Sequence, residues 1–320
     1  LPDFMQYVEL HRLLRLDDLQ DRVVNSLIFE RMFESGTWRR LAKSGVTRAQ
    51  ALAYVSEVAR TVVGGLRPGE RPEFSTRVAW QYTRTLYNRS DLVLTPSMRL
   101  QRELQDHGVT VPVEHLSNGI DMSIVRPKGD WKLRQRLVHA GRLGHEKNVD
   151  VVVHAFAHLL ERHPGVRLDI IGDGPAREGL ERLVARLGIQ DRVGLLGFMN
   201  RTALGRAYAG YDAFVTASTI ETQGIVLLEA MSAGLPVVGV DALAIPELVA
   251  DGRNGFVVPP GDEEAMAEAL ERLLGDEALR ERLGTACRED VKEHALESVV
   301  TRLESHYERV LAARREADGA

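Results

Sequence analysis

The sequence predicts an α/β protein whose back half is an open, doubly wound parallel sheet, and three observations carry that prediction. First, apolar, β-branched runs recur at 136–143, 166–172, 193–198, 213–218, 236–241 and 255–260. Each is short and bounded by Gly, Pro or Asp, as a buried strand is. Second, helical spacing fills the gaps. Leu180, Leu183, Val184 and Leu187 share one face with Gly188 at the C-cap position, and Met266, Leu270, Leu273 and Leu274 repeat the pattern before Gly275. Third, the strand runs are nearly continuous rather than alternating, which suits a parallel sheet covered on both faces. Six strands alternating with helices give a doubly wound sheet.

The front half reads differently. Residues 3–35, 47–64 and 75–88 have helical character, and the first clear strand is 91–96. A helix is expected over 97–107, then a strand-like Val111 to Leu116 and the turn Ser117-Asn118-Gly119. Such a run of helices needs a sheet to cover its apolar faces, so early strands of a first α/β domain are expected upstream of Leu1. Leu296, Val299, Leu303, Tyr307 and Val310 mark a last helix over 293–314, suited to cross back to that domain. The expected domains are therefore 1–122, a partial first α/β domain, 123–292, a complete second one, and 293–320, the returning helix.

Composition narrows the function classes. Of 320 residues, 44% are hydrophobic and 27% charged, a globular balance. No apolar stretch approaches the roughly 18 residues of a membrane span. A single cysteine, Cys287, excludes a disulfide framework and a cysteine-rich zinc site. The net charge of −5 is uneven: residues 1–110 carry 16 Lys and Arg against 13 Asp and Glu, and the remainder 25 against 33. The basic front half suits either an anionic membrane surface or an ordinary solvated one.

Ligands of open parallel sheets bind beyond the carboxyl ends of the strands. Two segments there carry suitable chemistry. After strand 136–143, Gly141-Arg142-Leu143-Gly144-His145-Glu146-Lys147-Asn148 places two cations around a turn that precedes a helix. An arginine fork and a mobile lysine hold phosphate oxygens well and stabilise a departing diphosphate. After strand 213–218 comes Glu221-Thr222-Gln223-Gly224-Ile225-Val226, leading to Glu229. A helix starting near Gln223 offers free N–H groups and a positive dipole end to an anion. Eight residues of helical rise would set Glu221 and Glu229 roughly 12 Å apart, about the distance from a nucleotide's ribose to its sugar.

At these residues the sequence resembles the group 1 glycosyltransferases (family 4). Glu221 and Glu229, followed by Ala230-Met231-Ser232-Ala233-Gly234-Leu235-Pro236-Val237-Val238, are similar to that family's signature. Gly141-Arg142-Leu143 with Glu146-Lys147-Asn148 resembles its diphosphate loop, and Ser117 to Asp121 its interdomain segment. Ile170 to Pro175 and Asn254 to Val258 match further motifs, so the resemblance runs in order over about 91–275. It implies a GT-B fold of two Rossmann-like domains and transfer with retention of anomeric configuration. It implies no metal and no cofactor, the donor being a UDP-sugar or GDP-sugar; no Asp-x-Asp motif occurs. By carry-over, Arg142 and Lys147 hold the diphosphate beside Gly141, and the loop from Glu221 through Thr222, Gln223, Gly224, Ile225 and Val226 meets the sugar and phosphates. Glu229 holds the ribose, and Gly197-Phe198 lies near the base. The family's N-terminal glycine-rich loop and a histidine near the reacting sugar would precede Leu1, so the chain is expected to bind a donor with its turnover open to test.

Glu221-Thr222-Gln223-Gly224 is most similar to the diacylglycerol glucosyltransferase-like subgroup. That implies UDP-glucose as donor, diacylglycerol or another lipid as acceptor, and a cytoplasmic protein peripheral to the inner face of the membrane. Trp38-Arg39-Arg40-Leu41-Ala42-Lys43 fits an interfacial patch, and more readily an ordinary amphipathic helix packed on the missing sheet. No nucleic-acid partner is expected. Two rivals remain: a nucleotide-sugar epimerase on the same architecture, and a non-catalytic nucleotide-sugar-binding module. A nicotinamide dehydrogenase is excluded, because Gly172-Asp173-Gly174 runs on into Pro175, Ala176 and Arg177 instead of completing Gly-x-Gly-x-x-Gly.

Overall fold

The computed structural model describes residues 80–81 and 83–318. The helices expected over 3–35 and 47–64, and the Trp38–Lys43 segment, lie outside the described residues. The chain forms two compact units, Leu1–Thr85 and Leu86–Ala320, and the second holds the two sheets found among the described residues.

That unit opens with β1 (Val93–Thr95), α1 (Met98–Asp106) and β2 (Val113–His115). The two strands pair in parallel, Val93 opposite Val113. Ser97 caps α1 by accepting a hydrogen bond from the Leu100 N–H. The six strands expected from the apolar runs then appear in order: β3 (Arg136–Ala140), β4 (Arg167–Ile171), β5 (Val193–Gly197), β6 (Ala213–Val215), β7 (Val237–Val240) and β8 (Gly255–Val258). They form one parallel sheet in the order β5-β4-β3-β6-β7-β8. The direction of winding reverses between β3 and β6, and beyond their carboxyl ends lies the crevice where such folds take ligands.

Helices α2 (Val149–Arg162), α3 (Arg177–Arg186), α4 (Arg201–Ala207), α5 (Ile225–Ser232), α6 (Ile245–Leu248), α7 (Glu263–Gly275) and α8 (Glu277–Asp290) connect and cover these strands. Val152, Val153, Phe156 and Leu159 of α2 share one buried core with Leu137, Leu168 and Ile170 of the sheet. The expected cap at Gly188 is present with φ +69°. Gly275 departs from expectation: it is the last residue of α7, and Asp276, in extended backbone, closes that helix and side-chain-caps α8 through the Leu279 N–H.

A long last helix, α9 (Leu296–Asp318), runs back along β2. Arg302 donates to the His115 carbonyl at 3.2 Å, and Arg309 pairs with Glu114 at 2.6 Å. Among the described residues no helix is long and apolar enough to cross a membrane.

Candidate nucleotide-sugar site

At the switch point the ends of neighbouring strands approach closely. A Cβ on Gly172, whose φ is +144°, would stand 1.8 Å from the Gly141 carbonyl oxygen, so only glycine fits after β4. The Gly141 N–H donates to Ile171 and the Gly172 N–H to Gly197, stitching together the three strand ends that lead into the site.

From Gly141 the chain makes a turn through exposed Arg142 into a short 3-10 turn, His145–Lys147. Asn148 ends that turn in the left-handed region, φ +47°, a conformation asparagine tolerates. Its amide donates to the Ala217 carbonyl and the Thr219 hydroxyl, both at 3.3 Å, fastening this loop to the one that follows β6. Across that junction Lys147 Nζ lies 2.6 Å from Glu221 Oε1, with the two side chains only 19% and 15% exposed. The structure therefore brings together two expected site residues that are 74 positions apart. Arg142 makes no ion pair among the described residues.

The second segment corrects an expectation. Helix α5 begins at Ile225, not near Gln223, because Gly224 occupies the N-cap with φ +75° and breaks the helical path. Glu229 consequently sits one turn into α5, and the 12 Å helical spacing from Glu221 does not apply: Glu221 and Thr222 lie in the loop before it. The backbone N–H groups of Gly224, Ile225 and Val226 find no acceptor among the described residues, as at an open helix N-terminus. Gln223 is turned elsewhere. Its buried amide donates to Ser117 Oγ at 2.6 Å and to the Asn118 carbonyl at 3.0 Å, and accepts from the Asn118 N–H at 3.0 Å. That side chain holds the Ser117–Asn118 turn against the site, leaving Gln223 only its backbone for a donor. Ile225 is exposed, and half-buried Val226 accepts a weak 3.4 Å hydrogen bond from the Tyr208 hydroxyl through its carbonyl.

Glu229 is 3% exposed. Arg201, the first residue of α4, donates to its Oε1 from Nε at 2.9 Å and forms an ion pair with the same oxygen, Nη2 lying 2.8 Å from it. Burial, then the Glu229 charge, pushes the Tyr208 hydroxyl well above its ordinary pKa. Gly197 ends β5 with φ +73°, and Phe198 follows it 81% exposed, an aromatic face open to solvent.

Sequence reasoning missed Arg201 and His139. Arg201 carries no local signal, because only the fold sets it over Glu229. His139 lies on β3 two residues before Gly141, fully buried, with Nδ1 3.0 Å from the Val215 carbonyl. A carbonyl only accepts, so Nδ1 carries the proton and Nε2 is a bare acceptor. Burial holds its pKa below the ordinary histidine value. Nε2 and the Ser218 hydroxyl are buried without hydrogen-bond partners among the described residues, and both flank the switch point. Among the described residues no three His, Cys, Asp or Glu side chains gather as metal ligands would.

A six-stranded parallel sheet in this order, with an open helix N-terminus at its switch point, is the fold of one Rossmann-like half of a GT-B architecture. Comparison with known proteins agrees. Anabaena HepE, solved in complex with UDP, superposes with a TM-score of 0.67 at 21% identity, covering 81% of this chain and 77% of HepE. Residues 123–290, just over half the chain, match the family model for glycosyl transferases group 1. The chain belongs to that family. It is 30% identical over 285 residues to a GDP-mannose-dependent alpha-mannosyltransferase of Mycolicibacterium smegmatis, covering 86% of this chain and 72% of that protein. It is 32% identical over 240 residues to the sulfoquinovosyl transferase SQD2 of Arabidopsis thaliana, covering 70% of this chain but only 46% of SQD2. The chain thus spans less than half the length of several curated relatives it matches.

Proposed function

We propose that this protein transfers a hexose from a nucleoside-diphosphate sugar to an acceptor hydroxyl with retention of configuration, as family 4 enzymes do, and that the donor is UDP-glucose. The observation that carries the reading is the convergence of Lys147, Glu221 and the open N-terminus of α5 at the switch point, with Arg142 on the same loop. Family membership supports it, and so do the GDP-mannose and UDP in the names of similar proteins.

On this reading Arg142, Lys147 and the N–H groups of Gly224, Ile225 and Val226 bind the diphosphate. The same groups stabilise the charge that grows as the anomeric C–O bond breaks. Glu221 addresses the sugar, Glu229 the ribose, and Gly197-Phe198 the base. The acceptor oxygen attacks the anomeric carbon on the face the diphosphate leaves, and its proton passes to the departing phosphate oxygen. No protein nucleophile is needed. Residues 1–122 are read as acceptor-side, 123–292 as the donor half and 293–320 as a helix returning to the first, a role supported by the bonds of α9 to β2.

For the acceptor we favour a glycerolipid such as diacylglycerol, met by a protein peripheral to the inner face of the membrane. The run Glu221-Thr222-Gln223-Gly224 supports that choice. Incubation of the whole protein with UDP-[14C]glucose and diacylglycerol vesicles should give a labelled α-glucosyl lipid, its anomer read by proton NMR. Label appearing only in a soluble acceptor would reject the lipid, and a β-linked product would reject retention.

A further inference from the structure

Arg201 and Glu229 differ sharply in their surroundings. The carboxylate is 3% exposed, whereas the arginine side chain is 60% exposed. The guanidinium therefore covers the carboxylate from the solvent side, and both its hydrogen bond from Nε and its closest ion-pair distance, from Nη2, are to one oxygen, Oε1. Oε2 accepts no hydrogen bond among the described residues, and it is not one of the buried, orphaned atoms, so it opens to a ligand. A charge-assisted hydrogen bond at Oε1 anchors that end of the carboxylate and leaves Oε2 as its free acceptor. Arg201 also stands three residues after the exposed aromatic face of Phe198 and is the first residue of a helix capped by Asn200.

We propose that Arg201 is a positioning residue for nucleoside recognition: by engaging Oε1 it turns Oε2 of Glu229 into a fixed acceptor for a ribose hydroxyl. The ligand class is a ribonucleoside diphosphate, discriminated from its deoxy counterpart. The proposal rests on the nucleotide-sugar reading above, and it makes Arg201 a specificity element acting through Glu229 rather than a general attractor of phosphate. The two roles predict different things. A rim cation draws in every diphosphate alike, whereas a positioning residue affects only ligands that carry the hydroxyl.

The test is calorimetric titration of the full chain with UDP and with 2′,3′-dideoxy-UDP. The proteins are wild type, Arg201→Ala, Arg201→Lys, Glu229→Gln and the Arg201→Ala/Glu229→Gln double variant. Wild type is expected to favour UDP. Arg201→Ala should weaken UDP about tenfold, leave dideoxy-UDP within about twofold and so erase the preference, as the loss of one charge-assisted hydrogen bond predicts. The double variant should bind UDP no worse than Glu229→Gln alone, because the two residues act as one unit. Arg201→Lys keeps the charge without the fork and should retain part of the preference; it also serves if the alanine variant folds poorly. Equal weakening of both nucleotides in Arg201→Ala, or no change in either, would overturn the proposal. A wild type that binds neither UDP nor dideoxy-UDP would overturn the UDP-glucose reading itself, before any variant is compared.

Discussion

At the scale of single residues, the Lys147–Glu221 pair sets the character of the site. Both charges are largely withdrawn from water, so their attraction is screened less than that of an exposed pair. On the proposed reading a diphosphate must compete with Glu221 for the Lys147 ammonium. Glu221→Gln should therefore bind UDP about three- to tenfold more tightly than wild type, while sugar transfer falls, because the carboxylate that addresses the sugar is gone. Lys147→Ala and Arg142→Ala should each weaken UDP by about 1.5–3 kcal/mol, the range for a hydrogen bond to a charged group. Calorimetry separates these cases. Unchanged UDP affinity in both cation variants would remove the diphosphate assignment, and weaker UDP binding in Glu221→Gln would show that the carboxylate does not compete. Lys147 and Glu221 were legible in the sequence as separate chemistry on separate loops. Their direct contact was not, since it depends on Asn148 bridging those loops from a left-handed backbone position.

Secondary elements explain why some of the site could be read in advance and some could not. Strands β3, β4, β6, β7 and β8 were visible because they are buried through most of their length, while β5, at the sheet edge with Leu196 half exposed, was visible from its apolar run alone. The start of α5 was not. Gln223 resembles an early helical residue, but its amide is committed to Ser117 and Asn118, and Gly224 then takes a positive φ that only glycine adopts without strain. The helix starts two residues later, so its free N–H groups are those of Gly224, Ile225 and Val226, in the stretch that follows Glu221. Gly224→Ala should accordingly cost about 1–2 kcal/mol of stability for the left-handed backbone alone. Its Cβ would also press to 3.2 Å on Leu227 and 3.4 Å on Leu248. Urea denaturation measures the loss, and UDP affinity should fall with it as the N-terminus of α5 shifts. Stability equal to wild type would mean that the cap geometry does not matter.

For the molecule as a whole, topology does what no single motif can. The reversal of winding between β3 and β6 draws the loops after β3 and β6 to one crevice, and the end of β5 joins them through Gly172 and Gly197. The strands could be listed from the sequence, but their order and the placing of Arg201 over Glu229 needed the fold. The central claim is that this crevice binds a nucleoside diphosphate through its cations, α5 and Glu229. Thermal unfolding of the full chain with UDP, GDP, ADP and NAD, each titrated to saturation, tests it most directly. A ligand that binds only the folded state adds about 2.7 kcal/mol of stability at one hundred times its dissociation constant. The account predicts a rise in melting temperature with UDP, a smaller one or none with ADP and NAD, and a smaller UDP effect in Glu229→Gln at matched ligand concentration. A rise with NAD alone, or no rise with any of the four, would contradict it.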